Sequence, residues 1–284
     1  MTIALTVVGS INLDFVATAA SLPGPGETVT NATLARHPGG KGANQALAAR
    51  RLGADVQMIG AVGKDGMGDE ALGLLRRDGV DLWGVVTREG QASGVALIAV
   101  SADGENQIIV APGANMAVNP GDLPNTLEGA VVLQLELPIP TVAAAAQRAT
   151  GFVAVNLAPA AEVPAALLSR ADLIVVNETE AAFYGEALHA APGLVAVTLG
   201  GAGARLFKGG TQIAAAAPPT VSVVDTVGAG DCFVAALSVA LLEGQAAEAA
   251  LAFACAAGAL ATTKPGAQPA LPWRAEVDAI LGRA

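Results

Sequence analysis

The segment DTVGAGD at residues 225–231, followed by the apolar run CFVAALSVALL, has the residue types and spacing best suited to chemistry in this sequence. A glycine-rich turn that opens directly into a helix points several backbone N–H groups at one place, at the positive end of the helix dipole, and so forms an anion hole. A carboxylate there, Asp231, does not help to bind phosphate by charge. It has a use if it takes a proton from a hydroxyl while the N–H groups stabilise a transferring phosphoryl group. Taken alone, the pattern is equally compatible with an aspartate that caps a core helix.

The segment GGKGAN at residues 39–44 opens a predicted helix and is the second candidate. Its small residues would let a ligand approach the backbone, and Asn44 offers an amide to a sugar hydroxyl. It is not a Walker A loop, because Gly42 follows the GK pair where Ser or Thr is required and the preceding glycine spacing differs. A tight loop with a solvent-facing lysine is the alternative.

Further polar residues follow predicted strands. Asn12 and Asp14 in GSINLD form an amide–carboxylate pair suited to vicinal hydroxyls, and Glu136 in VLQLELP could accept another hydroxyl hydrogen bond. NETE and TLGGAG follow two later strands and supply the remaining candidates, Asn177, Glu180, Thr198, Gly200 and Gly203. Each of these alone is more often an ordinary loop residue. All of the candidates, however, lie past the carboxyl end of an apolar strand or at a helix N-terminus, where open α/β sheets bind ligands, and this shared placement favours a functional interpretation.

Short apolar runs alternate with helical patterns along most of the chain. Strands are predicted at residues 2–9, 56–62, 130–135, 152–157, 173–176 and 194–199. Helices are predicted at residues 41–52 and 69–78, where Gly53 and Gly79 would end them as C′ residues. Continuous apolar strands separated by helices predict an α/β fold with a doubly wound, mainly parallel sheet and helices on both faces.

Two segments interrupt this alternation. Residues 13–36 are typical of extended chain around the turn PGPGE, and residues 93–112 of a hairpin, SGVALIAV then NQIIVA, with Asp-Gly in the connection. We predict that they form a small separate β-sheet within a single domain of residues 1–284. One face of that sheet would need cover from the main domain or a partner. Edge strands of the main sheet are the alternative.

The composition limits the class of protein. The 284 residues are 53% hydrophobic but only 3% aromatic, which predicts a core of Ala, Val and Leu. A net charge of −10, from 15 basic and 25 acidic residues, would repel a nucleic-acid backbone, although local backbone dipoles could still hold a nucleotide. Two cysteines, Cys232 and Cys255, exclude a disulfide framework and fit a reducing compartment.

The apolar segments of the sequence do not indicate a membrane protein. The N-terminal MTIALTVVGSINLD is typical of a first strand rather than a signal peptide. The most apolar tract, residues 232–263, is interrupted between Glu243 and Glu248, which leaves two segments shorter than the roughly 20 residues of a bilayer span. We therefore predict two buried helices there and a cytoplasmic protein.

Taken in order, GSINLD, PGETV, GGKGAN, NETE, TLGGAG and DTVGAGD resemble the motifs of the ribokinase-like carbohydrate kinase family over nearly the whole chain. The tail KPGAQPALPWRAEVDAIL, residues 264–281, is more similar to members that phosphorylate ribose than to those that phosphorylate fructose or adenosine. The resemblance implies ATP-dependent phosphorylation of D-ribose at O5 to give D-ribose 5-phosphate. Asp231 would be the general base, and the N–H groups of Gly228, Ala229 and Gly230 would form the anion hole.

The resemblance also implies ligand sites. The implied sugar site consists of Asn12, Leu13, Asp14, Gly40, Lys41, Gly42, Ala43, Asn44, Glu136 and Asp231. The implied ATP site consists of Asn177, Thr198, Leu199, Gly200, Gly201, Ala202, Gly203, Gly230, Asp231 and Cys255. Glu180 would help to place Mg²⁺ through water. An activating K⁺ would be held, largely by carbonyl oxygens, at Asp225, Val227, Ala261, Lys264, Gly266 and Ala270. The small sheet would be a lid over the sugar, and two lids would pack into a homodimer.

Three features depart from the family pattern. A helical stretch that usually lies between NETEAAFYG and LVAVTLG is nearly absent, so we expect a trimmed surface helix with the nucleotide loop intact. Ala270 stands where a serine often contributes to the cation site, which predicts a weaker response to K⁺. Cys255 stands where a His or Asn often lies near adenine, which affects nucleotide contacts more than the reaction.

Other functions remain open at this point. Another sugar or a nucleoside could be the acceptor. A non-catalytic sugar sensor on the same fold is disfavoured, since a sensor has no need of the base Asp231. A nicotinamide-dependent dehydrogenase is disfavoured because GSINLD replaces the GxGxxG turn after the first strand.

Overall fold

The structure is a computed structural model that describes residues 3–283. Its strands, numbered along the chain, are β1 (Ala4–Val8), β2 (Asn12–Thr18), β3 (Thr33–Gly39), β4 (Asp55–Gly63), β5 (Asp81–Arg88), β6 (Gly94–Val100), β7 (Asn106–Ala111), β8 (Ala130–Gln134), β9 (Val153–Asn156), β10 (Leu173–Asn177), β11 (Leu194–Thr198), β12 (Ala204–Lys208) and β13 (Thr211–Ala216). Its helices are α1 (Lys41–Arg51), α2 (Gly66–Ala71), α3 (Gly73–Arg77), α4 (Ile139–Arg148), α5 (Ala165–Arg170), α6 (Glu178–Tyr184), α7 (Glu186–His189), α8 (Ala229–Leu242), α9 (Ala247–Ala261), α10 (Ala267–Ala270) and α11 (Arg274–Ile280). Residue 2 of the first predicted strand lies outside the described residues.

Within residues 3–283 the large sheet has nine strands in the order β13-β12-β11-β10-β9-β8-β1-β4-β5. The seven strands from β11 to β5 are parallel to their neighbours, and the β12–β13 hairpin adds antiparallel strands at one edge. Successive side chains of β1 enter different cores: Val7 packs with α1, α8 and α9, and Val8 packs with α4 and α5. The central strands of the sheet are apolar because helices cover both faces, which confirms the predicted doubly wound sheet.

The two unusual segments form a second sheet in the order β3-β2-β6-β7. Strand β2 pairs with β3 in antiparallel and with β6 in parallel orientation, and β6 and β7 form the predicted hairpin. The prediction of a separate sheet is confirmed, and the alternative of edge strands in the main sheet is wrong. Strand β2 begins beside the carboxyl end of β1 and β3 runs directly into α1, so the small sheet is joined to the edge where the candidate residues lie.

Some element boundaries differ from the predictions. The predicted helix at residues 69–78 is two helices, α2 and α3, interrupted at Leu72 before Gly73. Gly53 and Gly79 do follow their helices, with φ values of 106° and 80° that suit glycine. The sequence patterns also missed β5, β12 and β13, which lie at the two edges of the sheet and are less apolar than its centre.

The apolar tract at residues 232–263 forms the predicted pair of buried helices, α8 and α9, separated by a turn at Gly244 with φ of 77°. Among residues 3–283, none of the helices combines the length and apolarity of a membrane span. The shortened region after α6 contains only the four-residue α7, in agreement with the expected trimmed helix.

Candidate active site

Asp231 lies in the first turn of α8 and is almost completely buried, with 8% of its surface exposed. Its Oδ2 accepts a hydrogen bond from Asn44 Nδ2 at 2.8 Å, and its Oδ1 accepts one from Gln45 Nε2 at 3.0 Å. The N-cap of this helix is Gly228, with φ of 81°. Asp231 therefore does not cap the helix, and its carboxylate is directed at the start of α1.

Two cavities meet at this helix end. A cavity of about 150 Å³ is lined by Lys41, Asn177, Glu180, Gly230 and Asp231 among others. A larger cavity of about 500 Å³ lies beside it and shares Thr198 and Gly230 with the first. The Ala229 N–H at the start of α8 donates to Thr226 O at 3.3 Å, whereas the N–H groups of Gly228 and Gly230 have no backbone carbonyl partner within residues 3–283 and are available to an anion between the cavities.

On the small-sheet side, Asn12 and Asp14 begin β2 and are buried. Asn115, from a 3₁₀ turn, donates to Asn12 Oδ1 at 2.8 Å and exchanges hydrogen bonds with both backbone groups of Ile11. A Cβ at Gly94 would lie 2.2 Å from the same Asn12 oxygen. The Asn12 side chain is thus held in one orientation.

The loop that enters α1 depends on its glycines. A Cβ at Gly39 would lie 2.2 Å from Asp14 Oδ2, and Gly40 has φ of 88°. Glu136, just past β8, accepts hydrogen bonds from Ser10 Oγ at 2.5 Å and from the Lys41 backbone N–H at 3.2 Å. These contacts bring the ends of β1, β8 and α1 together around one group of carboxylates.

The electrostatics of this group are unusual. Burial and the negative charges of Glu136 and Asp231 raise the pKa of Asp14 to about 7, although the positive charge of Lys41 partly offsets them. Burial raises the pKa of Asp231, against the stabilising effects of Lys41 and the amides of Asn44 and Gln45. Burial alone would lower the pKa of Lys41, but the surrounding carboxylates raise it. Lys41 is therefore a charged ammonium in a cluster of acids, one of which holds a proton readily near neutral pH.

The larger cavity has a different lining. Small and apolar residues dominate it: Gly200, Gly201, Gly203, Pro218, Pro219, Val221, Val223, Ala229, Phe233, Cys255, Gly258 and Ala259. Four threonines, Thr198, Thr220, Thr226 and Thr262, complete the wall. Burial raises the pKa of the Cys255 thiol to about 11, so it is neutral. A largely apolar cavity of about 500 Å³ that reaches the N-terminus of α8 suits a nucleotide, with its base in the cavity and its phosphates at the helix.

Most of the predicted ATP-site residues line one of the two cavities. Of the predicted ATP-site residues, Thr198, Gly200, Gly201, Gly203, Gly230 and Cys255 line the larger cavity, and Asn177, Gly230 and Asp231 line the smaller one. Leu199 and Ala202 are outside both linings, and the backbone bond from Leu199 N to Gly203 O at 2.8 Å closes their loop. Leu13 and Ala43 have buried side chains in the core, so only their backbone could serve a ligand. Gly42 packs against Gly9 and donates to Ser10 Oγ at 3.3 Å.

The predicted cation residues lie in two segments that Asp225 ties together. Its Oδ1 accepts the Val227 N–H at 3.0 Å, and its Oδ2 accepts the Gly266 N–H at 2.8 Å. Ala261 ends α9 next to these segments, Ala270 is buried in α10, and the Lys264 ammonium pairs with Glu276 at 3.5 Å. These two hydrogen bonds to Asp225 place residues 262–266 directly against the anion-hole turn at residues 228–230.

Several residues of the site were missed by sequence reasoning: Ser10, Gln45, Asn115, Gln134 and Asn156. Gln134 and Asn156 are the last residues of β8 and β9, so the rule that found the other candidates applies to them as well. Ser10 and Gln45 lie inside or beside quoted motifs. Asn115 has no sequence signal, because its partners lie about a hundred residues earlier in the chain.

Comparison with known proteins agrees with this geometry. Residues 3–274 match the model of the pfkB family carbohydrate kinases. A ribokinase from Bacillus subtilis (strain 168) is 39% identical over 293 residues, covering 98% of this chain and 99% of the relative. Among solved structures, a ribokinase from Thermotoga maritima superposes with a TM-score of 0.88 at 30% identity, and an Arabidopsis thaliana ribokinase complexed with ribose and ATP superposes with 0.84 at 34%; each covers 99% of both chains.

The chain belongs to the pfkB family of carbohydrate kinases, because the family match spans almost all of it. It has the ribokinase-like α/β fold and is a phosphotransferase.

Proposed function

We propose that this chain transfers the γ-phosphoryl group of ATP to O5 of D-ribose, giving D-ribose 5-phosphate and ADP. The supporting observation is the position of Asp231, which lines the smaller cavity next to Gly230, a residue that both cavities share, and lies in the first turn of the helix that provides the anion hole. Ribokinases similar over nearly the whole chain, one of them solved with ribose and ATP, support ribose as the acceptor.

Different residues serve the proton transfer, the stabilisation of the phosphoryl charge and the binding of the sugar. The Asp231 carboxylate takes the proton of the attacking hydroxyl as its oxygen bonds to phosphorus, and the electron pair of the breaking bond stays on ADP. The N–H groups of residues 228–230 and the Lys41 ammonium stabilise the negative charge of the transferring group. Asn44 Oδ1 is buried and has no hydrogen-bond partner within residues 3–283, so a sugar hydroxyl could donate to it. In-line positioning, rather than covalent help, accounts for the catalysis.

Two metal ions fit the proposal. Glu180 lines the smaller cavity, and its Oε2 accepts the Asn177 N–H at 2.8 Å, which fixes the carboxylate beside the space for the phosphates. One carboxylate plus phosphate oxygens and water is the usual environment of Mg²⁺, which neutralises phosphate charge. A K⁺ ion would be held by the carbonyl oxygens of the segments that Asp225 joins, and the methyl side chain of Ala270 supplies no ligand.

The small sheet of β2, β3, β6 and β7, which is part of the one kinase domain, would act as a lid. The apolar side chains Leu34, Leu97 and Ile109 lie on one face of this sheet and are between 50% and 69% exposed. This area suits a homodimer formed by two lids. In analytical ultracentrifugation, we expect the wild type to be a dimer and Ile109→Glu to be a monomer. Equal masses for the two proteins would exclude the lid interface.

Both cysteines are unpaired, which suits a cytoplasmic enzyme.

The test of the function is a coupled ADP-release assay over pentoses, ketohexoses and nucleosides, with ATP and Mg²⁺, in the presence and absence of K⁺. We expect the highest kcat/KM with D-ribose and a product that co-elutes with D-ribose 5-phosphate. A nucleoside or hexose preference would reassign the acceptor. Ribose binding without ADP release would indicate a sensor.

A further inference from the structure

A chain of buried amides lies behind Asp231, on residues to which the proposed reaction gives no role. Gln45, in the second turn of α1, donates from Nε2 to Asp231 Oδ1 at 3.0 Å and to Asn156 Oδ1 at 3.2 Å. Gln134 donates from Nε2 to Gln45 Oε1 at 2.6 Å. These three amide side chains are at most 7% exposed, and Gln45 is 1% exposed. The chain joins the ends of β8 and β9 to the base.

The direction of every amide in this chain is fixed by its far end. The Val175 carbonyl can only accept, so Asn156 must present its Nδ2 to it, at 3.2 Å, and its Oδ1 to Gln45. Gln45 must then present its NH₂ group to Asn156, and both N–H bonds of that group are used, one of them on Asp231. Gln134 closes the chain by donating to the remaining oxygen of Gln45. A flipped Gln45 would set oxygen against oxygen at both Asn156 and Asp231.

We infer that Gln45 is a positioning residue for the proposed phosphoryl transfer: its amide, held by Gln134 and Asn156, fixes the orientation of the Asp231 carboxylate and keeps it ionised for proton abstraction. The inference rests on the proposed role of Asp231 as base. Asn44 binds the other carboxylate oxygen, but Asn44 also faces the sugar, so Gln45 is the contact that is independent of substrate.

The electrostatic surroundings make this contact consequential. Asp231 is buried near two other carboxylates, Asp14 and Glu136, and near one cation, Lys41. Burial and the neighbouring acids favour the protonated carboxyl, whereas an N–H donated by Gln45 favours the carboxylate. Without that donor the pKa of Asp231 rises, and the fraction of enzyme with an ionised base falls at neutral pH.

The experiment measures kcat, both KM values and the pH dependence of kcat for Gln45→Met. We expect kcat near neutral pH to fall roughly 10- to 100-fold, the usual worth of a hydrogen bond to a charged group, with KM for ribose and for ATP changed less than about threefold. The acid limb of the kcat profile should move to higher pH. Ser238→Ala is the matched control: it removes a buried hydrogen bond on α8, from Ser238 Oγ to Val234 O at 2.8 Å, away from Asp231.

Gln45→Glu keeps the shape of the side chain, and it tests the same role of Gln45 if Gln45→Met does not fold. It replaces a donor with a carboxyl group, so the acid limb should again move to higher pH. A loss of kcat no larger than in Ser238→Ala, or a loss confined to KM, would overturn the inference.

The amide chain also predicts non-additivity. Gln134→Met should lower kcat less than Gln45→Met, because it removes only the orientation of Gln45. The double variant should be no worse than Gln45→Met alone, since the two residues act through one contact. Additive losses would contradict the inference. Asp231→Asn, measured in parallel, separates the two hypotheses: if it stays active the proposed base is wrong, whereas an inactive Asp231→Asn beside a normal Gln45→Met contradicts only the role of Gln45.

Discussion

The proposed sugar side of the site, with Asn12, Asp14, Asn44 and Glu136, and the proposed nucleotide side, the cavity of about 500 Å³, adjoin at Gly230 and Asp231, and they differ in how their walls are held. On the sugar side, Asn12 and Asp14 are buried, and Asn12 is fixed by a hydrogen bond from Asn115. Glu136 accepts the Lys41 backbone N–H, and Gly39 leaves no room for a methyl group. On the nucleotide side, glycine and threonine are the commonest residues of the wall, proline, valine and alanine fill most of the rest, and Val223 remains 63% exposed.

This difference follows from what each ligand offers. A sugar presents hydroxyls in fixed directions, so a site must place complementary polar atoms, and each buried atom left unpaired disfavours the wrong ligand. A nucleotide offers a flat base and a charged tail. Shape and a helix N-terminus can hold these with few side-chain hydrogen bonds. We therefore expect substitutions on the sugar side and at the junction to be more damaging than those on the nucleotide side.

Substitution of Asp231, where the two sides adjoin, should give the largest effect. Asp231→Asn keeps the size of the side chain but cannot take a proton, so we expect kcat to fall by roughly 10²–10⁴. Ribose binding, measured by calorimetric titration, should be largely retained. The exposed carboxylate variant Asp69→Asn is the control and should behave as wild type. Full activity of Asp231→Asn would show that the junction carries no base.

The second effect tests the close packing of the sugar side. In Gly39→Ala, the added methyl group meets Asp14 Oδ2 at 2.2 Å, so the carboxylate or the loop must move. Overpacking of about 1–3 kcal/mol corresponds to a KM for ribose raised roughly 10- to 100-fold, with KM for ATP little changed. Gly73→Ala, where a Cβ meets nothing within 4 Å, is the matched control. An equal change in both KM values would contradict the separation of the two sides.

The third effect concerns the raised pKa of Asp14 on the sugar side. Burial and the neighbouring Glu136 and Asp231 raise the pKa of Asp14 from its ordinary value of 3.8 to about 7. Because the folded protein holds this proton more tightly than the unfolded chain, the associated stability is fully present below the ordinary pKa and is lost as the pH rises through about 7. Asp14→Asn stays neutral, so its free energy of unfolding relative to wild type should increase from about pH 5 to about pH 8, by up to about 3 kcal/mol.

Urea unfolding of the ligand-free protein at several pH values measures this difference. The amide introduced by Asp14→Asn would also be a poorer acceptor for a sugar hydroxyl than the carboxylate, so KM for ribose should rise in the variant while stability improves. A constant stability difference across this pH range would show that Asp14 is ionised throughout and that the cluster is better compensated than its burial indicates.

The same contrast explains what the sequence could predict. Asp14, Glu136 and Asn177 were predicted as site residues because each follows an apolar strand in the sequence. Parallel strands end at one edge of a sheet, so residues that follow different strands come together there. The contact of Gln45 with Asp231 joins residues 186 positions apart and depends on how α1 packs beside α8. No local pattern encodes such a contact, and the same holds for Asn115.

On the nucleotide side the prediction was limited for another reason. The glycine loop at residues 198–203 was identified by its composition, but the opposite wall at residues 218–223 is an irregular segment whose apolar residues have no period. Helix α9 presents Cys255 to the same cavity, and the Val224 N–H that follows this segment donates to Thr262 O at 2.7 Å just after α9, which is a long-range contact. The hairpin of β12 and β13 that supports this region was also missed, although its Gly209-Gly210 turn is a hairpin signal.

The smallest expected effect is therefore on this side, at Cys255. The thiol is neutral, since burial raises its pKa to about 11, and its nearest polar contact is the Ala216 carbonyl at 3.6 Å, within the weak range for sulfur. Cys255→Ala leaves an apolar wall, so steady-state kinetics should show KM for ATP changed by less than about threefold and kcat unchanged. Cys255→Ser is the companion variant, because it keeps the size while adding a stronger hydrogen-bonding group. If Cys255→Ala instead raised KM for ATP tenfold while Cys255→Ser did not, a polar contact to the base would be present, and the nucleotide side would be as dependent on fixed side chains as the sugar side.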